Sequence, residues 1–155
     1  MATTPQLKFY KGQTNKETFY NLLPDQNVSG ELTEVVNPYN MIHSVNLMFD
    51  NYSELSAYDS NVIVSDGKLK LSSGTEGTAT SKLHAQSIDI TQIHLLVIGE
   101  QYGNCIFKVS TDGGATYETV KVNQLVNILT GRNIVIQIRL VGATSEIDSL
   151  ALLLK

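Results

Sequence analysis

Residues 105–122 read Cys-Ile-Phe-Lys-Val-Ser-Thr-Asp-Gly-Gly-Ala-Thr-Tyr-Glu-Thr-Val-Lys-Val, and this stretch decides the fold class. Two alternating apolar runs, about 104–110 and 117–122, flank Thr111-Asp112-Gly113-Gly114. Glycine takes positive φ at no steric cost, so the four residues carry the chemistry of a tight turn between antiparallel strands. Cys105, Phe107 and Val109 share one face of the first strand, where Cys105 reads as a buried structural thiol. The stretch specifies sheet and contains no catalytic chemistry.

Short strands separated by turn residues continue on both sides. Residues 61–64 form an apolar run ending at Ser65-Asp66-Gly67, and 68–71 alternate with Leu69 and Leu71 inward. Residues 72–77 are a Gly/Ser/Thr loop. Ile88 and Ile90 share a face, and the continuous apolar run 94–98 is the pattern of a strand covered on both sides. Ile134, Ile136, Ile138 and Leu140 alternate with Asn133, Val135, Gln137 and Arg139, the clearest period-two strand of the chain. A last strand spans 147–154. Strand starts recur without a long helix between them, which predicts an all-β fold, an antiparallel β-sandwich or jelly roll. Residues 16–23 and 51–58 have room for a helical turn or two, and 124–129 fits a helical turn or a strand equally.

The first 60 residues differ in texture, holding all three prolines and five of the seven tyrosines. Residues 6–10 and 45–49 read as strands. The remainder is irregular chain, either laid across the sandwich or reaching to a neighbour. The chain therefore divides into an N-terminal strand and arm or interface segment, 1–60, and a jelly-roll sandwich, 61–155, within one compact unit. Tyr10, Tyr20, Tyr39, Tyr52 and Tyr58 combine an apolar ring with a polar tip, as interface residues do, and serve equally well as caps on the ends of a core that lacks tryptophan.

The 155 residues suffice for one domain with its own core. Charged residues make up 17%, below the roughly 25% of an average soluble protein, and Asn, Gln, Ser and Thr replace them. A net charge of −4 with no Lys/Arg stripe argues against nucleic acid as a partner. No apolar run approaches the roughly 20 residues of a membrane helix, and the N-terminus lacks the basic and apolar regions of a signal peptide. A single cysteine excludes an internal disulfide.

Catalytic and metal-binding patterns are not found. His43, His84 and His94 have no ligand spacing, and no P-loop, Rossmann or nucleophile-elbow fingerprint occurs. Asp50, Glu54, Asp59 and Asp66 lie within one stretch, but without the Gly and terminal Glu of a calcium-binding EF-hand loop. The expectation is a non-enzymatic chain with no cofactor and no metal.

Three segments in order carry a resemblance: Gly77-Thr78-Ala79-Thr80-Ser81-Lys82 leading to Ser87-Ile88-Asp89-Ile90, then the hairpin, then Arg139-Leu140-Val141-Gly142 with Ile147-Asp148-Ser149-Leu150-Ala151-Leu152. This succession resembles the galactose-binding-like (discoidin-like) jelly-roll modules of bacteriophage tail, fibre and other virion proteins, and covers residues 67–154. Ser110, Asp112, Gly114, Thr116 and Tyr117 also resemble an Asp-box, with tyrosine where that motif usually has tryptophan. The resemblance gives these residues a structural hairpin role. Leu7-Lys8-Phe9-Tyr10-Lys11 resembles the first strand of small phage structural proteins.

The resemblance implies a phage virion structural protein, either a capsid decoration (cement) protein or a small tail- or baseplate-attached module. Its partners would be major capsid or tail proteins, its place the virion assembled in the host cytoplasm, and its oligomer a homotrimer. The alternative is a carbohydrate-binding module for a host glycan, with Tyr102, Asn104, Tyr117 and Arg132 as candidates by type and loop position. A third reading is a bacterial enzyme accessory domain or inhibitor, since fold does not fix function.

Overall fold

The computed structural model describes Tyr39 and residues 41–155. Ten strands run in order: β1 His43–Met48, β2 Leu55–Tyr58, β3 Val62–Ser65, β4 Lys68–Leu71, β5 Glu76–Ser81, β6 His84–Glu100, β7 Ile106–Ser110, β8 Glu118–Val120, β9 Leu125–Val141 and β10 Glu146–Leu154. All pairings between them are antiparallel, so the chain is the all-β sandwich its sequence predicts. Of the N-terminal segment 1–60, residues 41–60 supply β1, a short turn and β2, while the strand expected at 6–10 and the rest of the segment apart from Tyr39 lie outside the described residues.

One layer is built around β10. One edge of β10 pairs with β6; the other pairs with β1 along 149–154 and with β4 at Glu146 and Ile147, and β3 lies beyond β4. The second layer runs β2–β5–β9–β7–β8. The long strand β9 serves both layers. Its first half lies along β6, with His94 opposite Leu125, and its second half passes between β5 and β7, where Ile138 faces both Ala79 and Phe107. The alternation read in the sequence puts Ile134, Ile136, Ile138 and Leu140 into the core with Leu47, Phe49, Leu69, Leu95 and Leu152.

The opposite side of the sandwich has two strand edges, β2 and β3, and closes through side chains. The Tyr52 hydroxyl accepts a hydrogen bond from Val64 N of β3 at 3.0 Å, while its ring stacks on Tyr58 of β2 with centroids 4.7 Å apart. Asn61 Nδ2 donates to Ser73 O (3.0 Å) and Glu76 O (2.8 Å), fixing the loop before β5. Capping an exposed edge in this way blocks pairing with another chain.

Several local readings change. Residues 51–58 form a 3-10 turn, Tyr52–Glu54, and then strand β2, rather than a longer helix. The Asn51 side chain accepts from Ser53 N at 2.6 Å to start the turn, and the free edge of β5 captures residues 55–58 as a strand. Residues 125–129 open strand β9, with Gln124 in the bend before it, because β6 offers Leu125–Asn127 a ladder. Residues 84–100 form a single strand through polar positions, with irregular register at Ala85–Ile90 and Ile90–Gln92. Cys105 is half-buried rather than buried, preceding β7 and packing against the margin of the core.

Candidate functional site

The most distinctive surface is the face of the β1–β10–β6 sheet that points away from the core. Ser44, Asn46 and Met48 on β1 lie opposite Leu153, Ala151 and Ser149 on β10, and these lie opposite His94, Leu96 and Ile98 on β6. Leu150, Leu152 and Leu154 belong to the core cluster, whereas Ala151 and Leu153 do not. Yet Ala151 and Leu153 are only 4% and 5% exposed, and Ser44, Ser149 and His94 are similarly buried. Residues 150–154 of strand β10 are thus apolar and buried on both faces, the pattern of a strand with two packed sides.

Among the described residues, two polar atoms on this face have no hydrogen-bond partner. His94 Nδ1 and Asn46 Oδ1 are buried without a hydrogen bond, although buried polar groups in folded proteins are nearly always paired. Burial also holds the His94 imidazole below its ordinary pKa of 6.5, so it is neutral near pH 7. The ring of Tyr39 stands edge-on against His94 with centroids 5.0 Å apart, and the Tyr39 carbonyl accepts from Lys155 Nζ at 3.3 Å.

The hairpin uses its motif on itself. Ser110 Oγ donates to Asp112 Oδ1 (2.6 Å) and accepts from Gly114 N (2.8 Å). Asp112 Oδ1 accepts from Ala115 N (3.0 Å) and Thr116 N (2.9 Å), and Oδ2 from Thr116 Oγ1 (2.7 Å). The bond from Ser110, then those from Thr116, hold the Asp112 carboxyl far below the usual carboxylate range. Gly113 and Gly114 have φ of 82° and 97°, the positive values expected of them. Thr111 Oγ1 donates to Leu129 O at 2.7 Å and docks the turn on β9, where Val135, opposite Ser110, is buried despite its place on the outward side of the alternation.

The glycan candidates divide into two pairs at opposite ends of this hairpin. At the open end Tyr102 lines a cavity of about 380 Å³ with Cys105, Phe107, Val120 and Val122, and Asn104 is exposed in the adjoining turn. At the closed end Tyr117 packs back toward Gly114; burial first, then the charge of Asp112, raises its hydroxyl pKa. Arg132 Nε donates to Asp89 at 2.6 Å. Tyr10 and Tyr20 lie outside the described residues. Tyr52 and Tyr58 form an exposed ring pair, Tyr58 being 49% exposed. The sequence offered them equally as interface tyrosines and as caps on the core ends, because their stacking depends on how the edges of β2 and β3 meet.

Of the four clustered carboxylates, Asp50 and Asp66 line a cavity of about 220 Å³ with Lys68 and Asp148, which Glu54 and Asp59 do not. Asp59 instead accepts from Thr78 N at 2.8 Å, and Lys68 Nζ pairs with Glu146 at 2.5 Å. Among the described residues no group of three or more His, Cys, Asp or Glu side chains is placed to hold a metal ion, and no helix is long and apolar enough to cross a membrane.

No protein-family model and no curated protein matches the chain. Among solved structures it is similar to the Podospora anserina GH26-CBM35 beta-(1,4)-mannanase, at 12% identity and a TM-score of 0.33, over 72% of this chain and 28% of that one. It is also similar to the Drosophila melanogaster CENP-C cupin domain, at 11% identity and a TM-score of 0.26, over 68% of this chain and 78% of that one. The chain thus spans little more than a quarter of the mannanase.

Proposed function

We propose that this chain is a non-enzymatic bacteriophage virion structural protein, a capsid decoration (cement) protein or a small tail- or baseplate-attached module, acting through protein–protein contacts. The supporting observation is that the segments carrying the resemblance are spatial neighbours. Residues 76–80 of β5 pair with 137–141 of β9, β7 of the hairpin pairs with the other edge of the same stretch, and β10 is central to the facing layer. The motif residues Ser110, Asp112 and Thr116 spend their hydrogen bonds on their own turn. Such a body is rigid, and recognition falls to its faces. On a symmetric shell, weak contacts repeated by a homotrimer multiply through effective concentration. The partners in this reading are major capsid or tail proteins, and the location is the virion.

The test is quantitative mass spectrometry of purified virions from the phage that encodes the chain. A fixed copy number per particle supports the role, and its lack from washed particles contradicts it.

The exposed Tyr52–Tyr58 pair favours a second reading, a host-glycan binding module, since stacked rings with one open face suit a sugar. Binding on a glycan array that Tyr58→Ala removes would support it.

A further inference from the structure

Strands β7 and β8 diverge at the open end of their hairpin. Phe107 lies opposite Val120 in the last pair of the ladder there. Beyond that pair one segment turns back on itself, Cys105 N donating to Tyr102 O at 2.9 Å. The other leaves for β6, where Val122 makes a parallel bridge with Leu95 and Asn123 N donates to Leu95 O at 2.8 Å. Asn123 has a φ of 61°, a left-handed turn that asparagine tolerates. The fork between the two departing segments is the cavity of about 380 Å³. We infer that this fork binds a small apolar acid, whose hydrocarbon body packs against Phe107, Val120 and Val122 and whose carboxylate faces Lys121.

Three observations carry the inference. The volume falls within the range of about 300–1,000 Å³ that small-molecule pockets have. The walls are apolar: Phe107 and Val120 belong to the core, and Tyr102, Cys105 and Val122 are half-buried against it. Such a lining favours hydrocarbon over a hydroxyl-rich sugar, whose polar groups it would leave unpaired. Finally, the polar side chains of the lining, Tyr102, Thr119, Lys121 and Gln124, all carry donors, and no carboxylate stands among them. Lys68, Lys70, Arg132 and Arg139 each meet a carboxylate, whereas Lys121 forms no ion pair among the described residues. The cavity beside Lys68 is lined by Asp50, Asp66 and Asp148 and would repel the same ligand. The inference needs only the sandwich and stands whether or not the chain belongs to a virion.

The experiment titrates the full-length chain, its methyl groups labelled for NMR, with phenylacetate and octanoate and with the neutral amides of both. The acids should move the methyl signals of Val120 and Val122 and leave those of Leu83, beside the closed end of the hairpin, in place. Each acid should bind about fivefold more tightly than its amide, as one exposed ion pair allows. Lys121→Gln should remove that preference, and Lys108→Gln, at a position outside the cavity lining, should keep it. Bound acid should also slow the alkylation of Cys105 by iodoacetamide. Acids and amides that bind alike would overturn the inference, and so would Val120 and Val122 methyls that neither acid moves. A Cys105 alkylation rate unchanged by saturating acid would put the bound molecule elsewhere and overturn it as well.

Discussion

Tyr39 stands edge-on against His94, the ring planes at 82° and the centroids 5.0 Å apart. The contact ties the start of the described chain to the middle part of strand β6, on the face opposite the core. An edge-to-face pair contributes about 0.5–1.5 kcal/mol beyond burial.

Tyr39→Ala should therefore lower stability by about 1 kcal/mol and open the imidazole to water. Tyr39→Phe keeps the ring and should change little. Urea unfolding monitored by circular dichroism measures both, and equal losses in the two variants would show that the hydroxyl rather than the ring matters.

The protonation of His94 sets a pH dependence. Burial lowers the folded pKa below 6.5, so between those two values the unfolded chain binds the extra proton and acid favours unfolding. The stability that His94 contributes is complete above pH 6.5 and is lost as pH falls toward the lowered folded value. A His94→Gln variant should flatten this part of the stability profile, and an unchanged slope would assign it elsewhere.

Asp112 governs the hairpin turn. Asp112→Ala removes the acceptor of four hydrogen bonds and should lower the melting temperature more than Asp112→Asn, which keeps the acceptor for Ala115 and Thr116. The folded carboxyl pKa is depressed below 3.8, so its contribution is present above pH 3.8 and lost as pH falls through the folded value. Calorimetry of wild type and Asp112→Ala should show the gap in melting temperature narrowing in strong acid.

Gly131 is a packing position. A Cβ there would be driven into the Thr111 carbonyl of the docked turn, whereas one on Gly103 meets nothing within 4 Å. Gly131→Ala should cost about 1–3 kcal/mol, as overpacking does, and Gly103→Ala less than about 0.5 kcal/mol. Chemical denaturation of both reads the contrast, and similar midpoints would contradict the docking of the hairpin on β9.

How legible the molecule was depends on what each residue reports. The alternation Ile134–Leu140 and the Asp112-Gly113-Gly114 turn state their strand and hairpin locally, because side-chain period and positive φ are properties of consecutive residues. Strand β2 and the opening of β9 were ambiguous, since their structure comes from partners, β5 and β6, distant in sequence. The apolar run 150–154 already lacks the alternation of a half-exposed strand, the signal that β10 is covered twice. Which residues face one another across that cover, Asn46 with Ala151 and Leu96, is a matter of register that no single strand encodes. The sugar candidates were chosen by residue type, and type does not carry distance, so Tyr102 and Tyr117 fell at opposite ends of one hairpin.

A virion role is tested head-on by titrating undecorated phage heads and isolated tails with the purified full-length chain, read by light scattering and sedimentation. A structural protein of the particle should saturate one of the two at a fixed number of copies, in multiples of a defined oligomer. A monomer that binds neither heads nor tails would contradict that role.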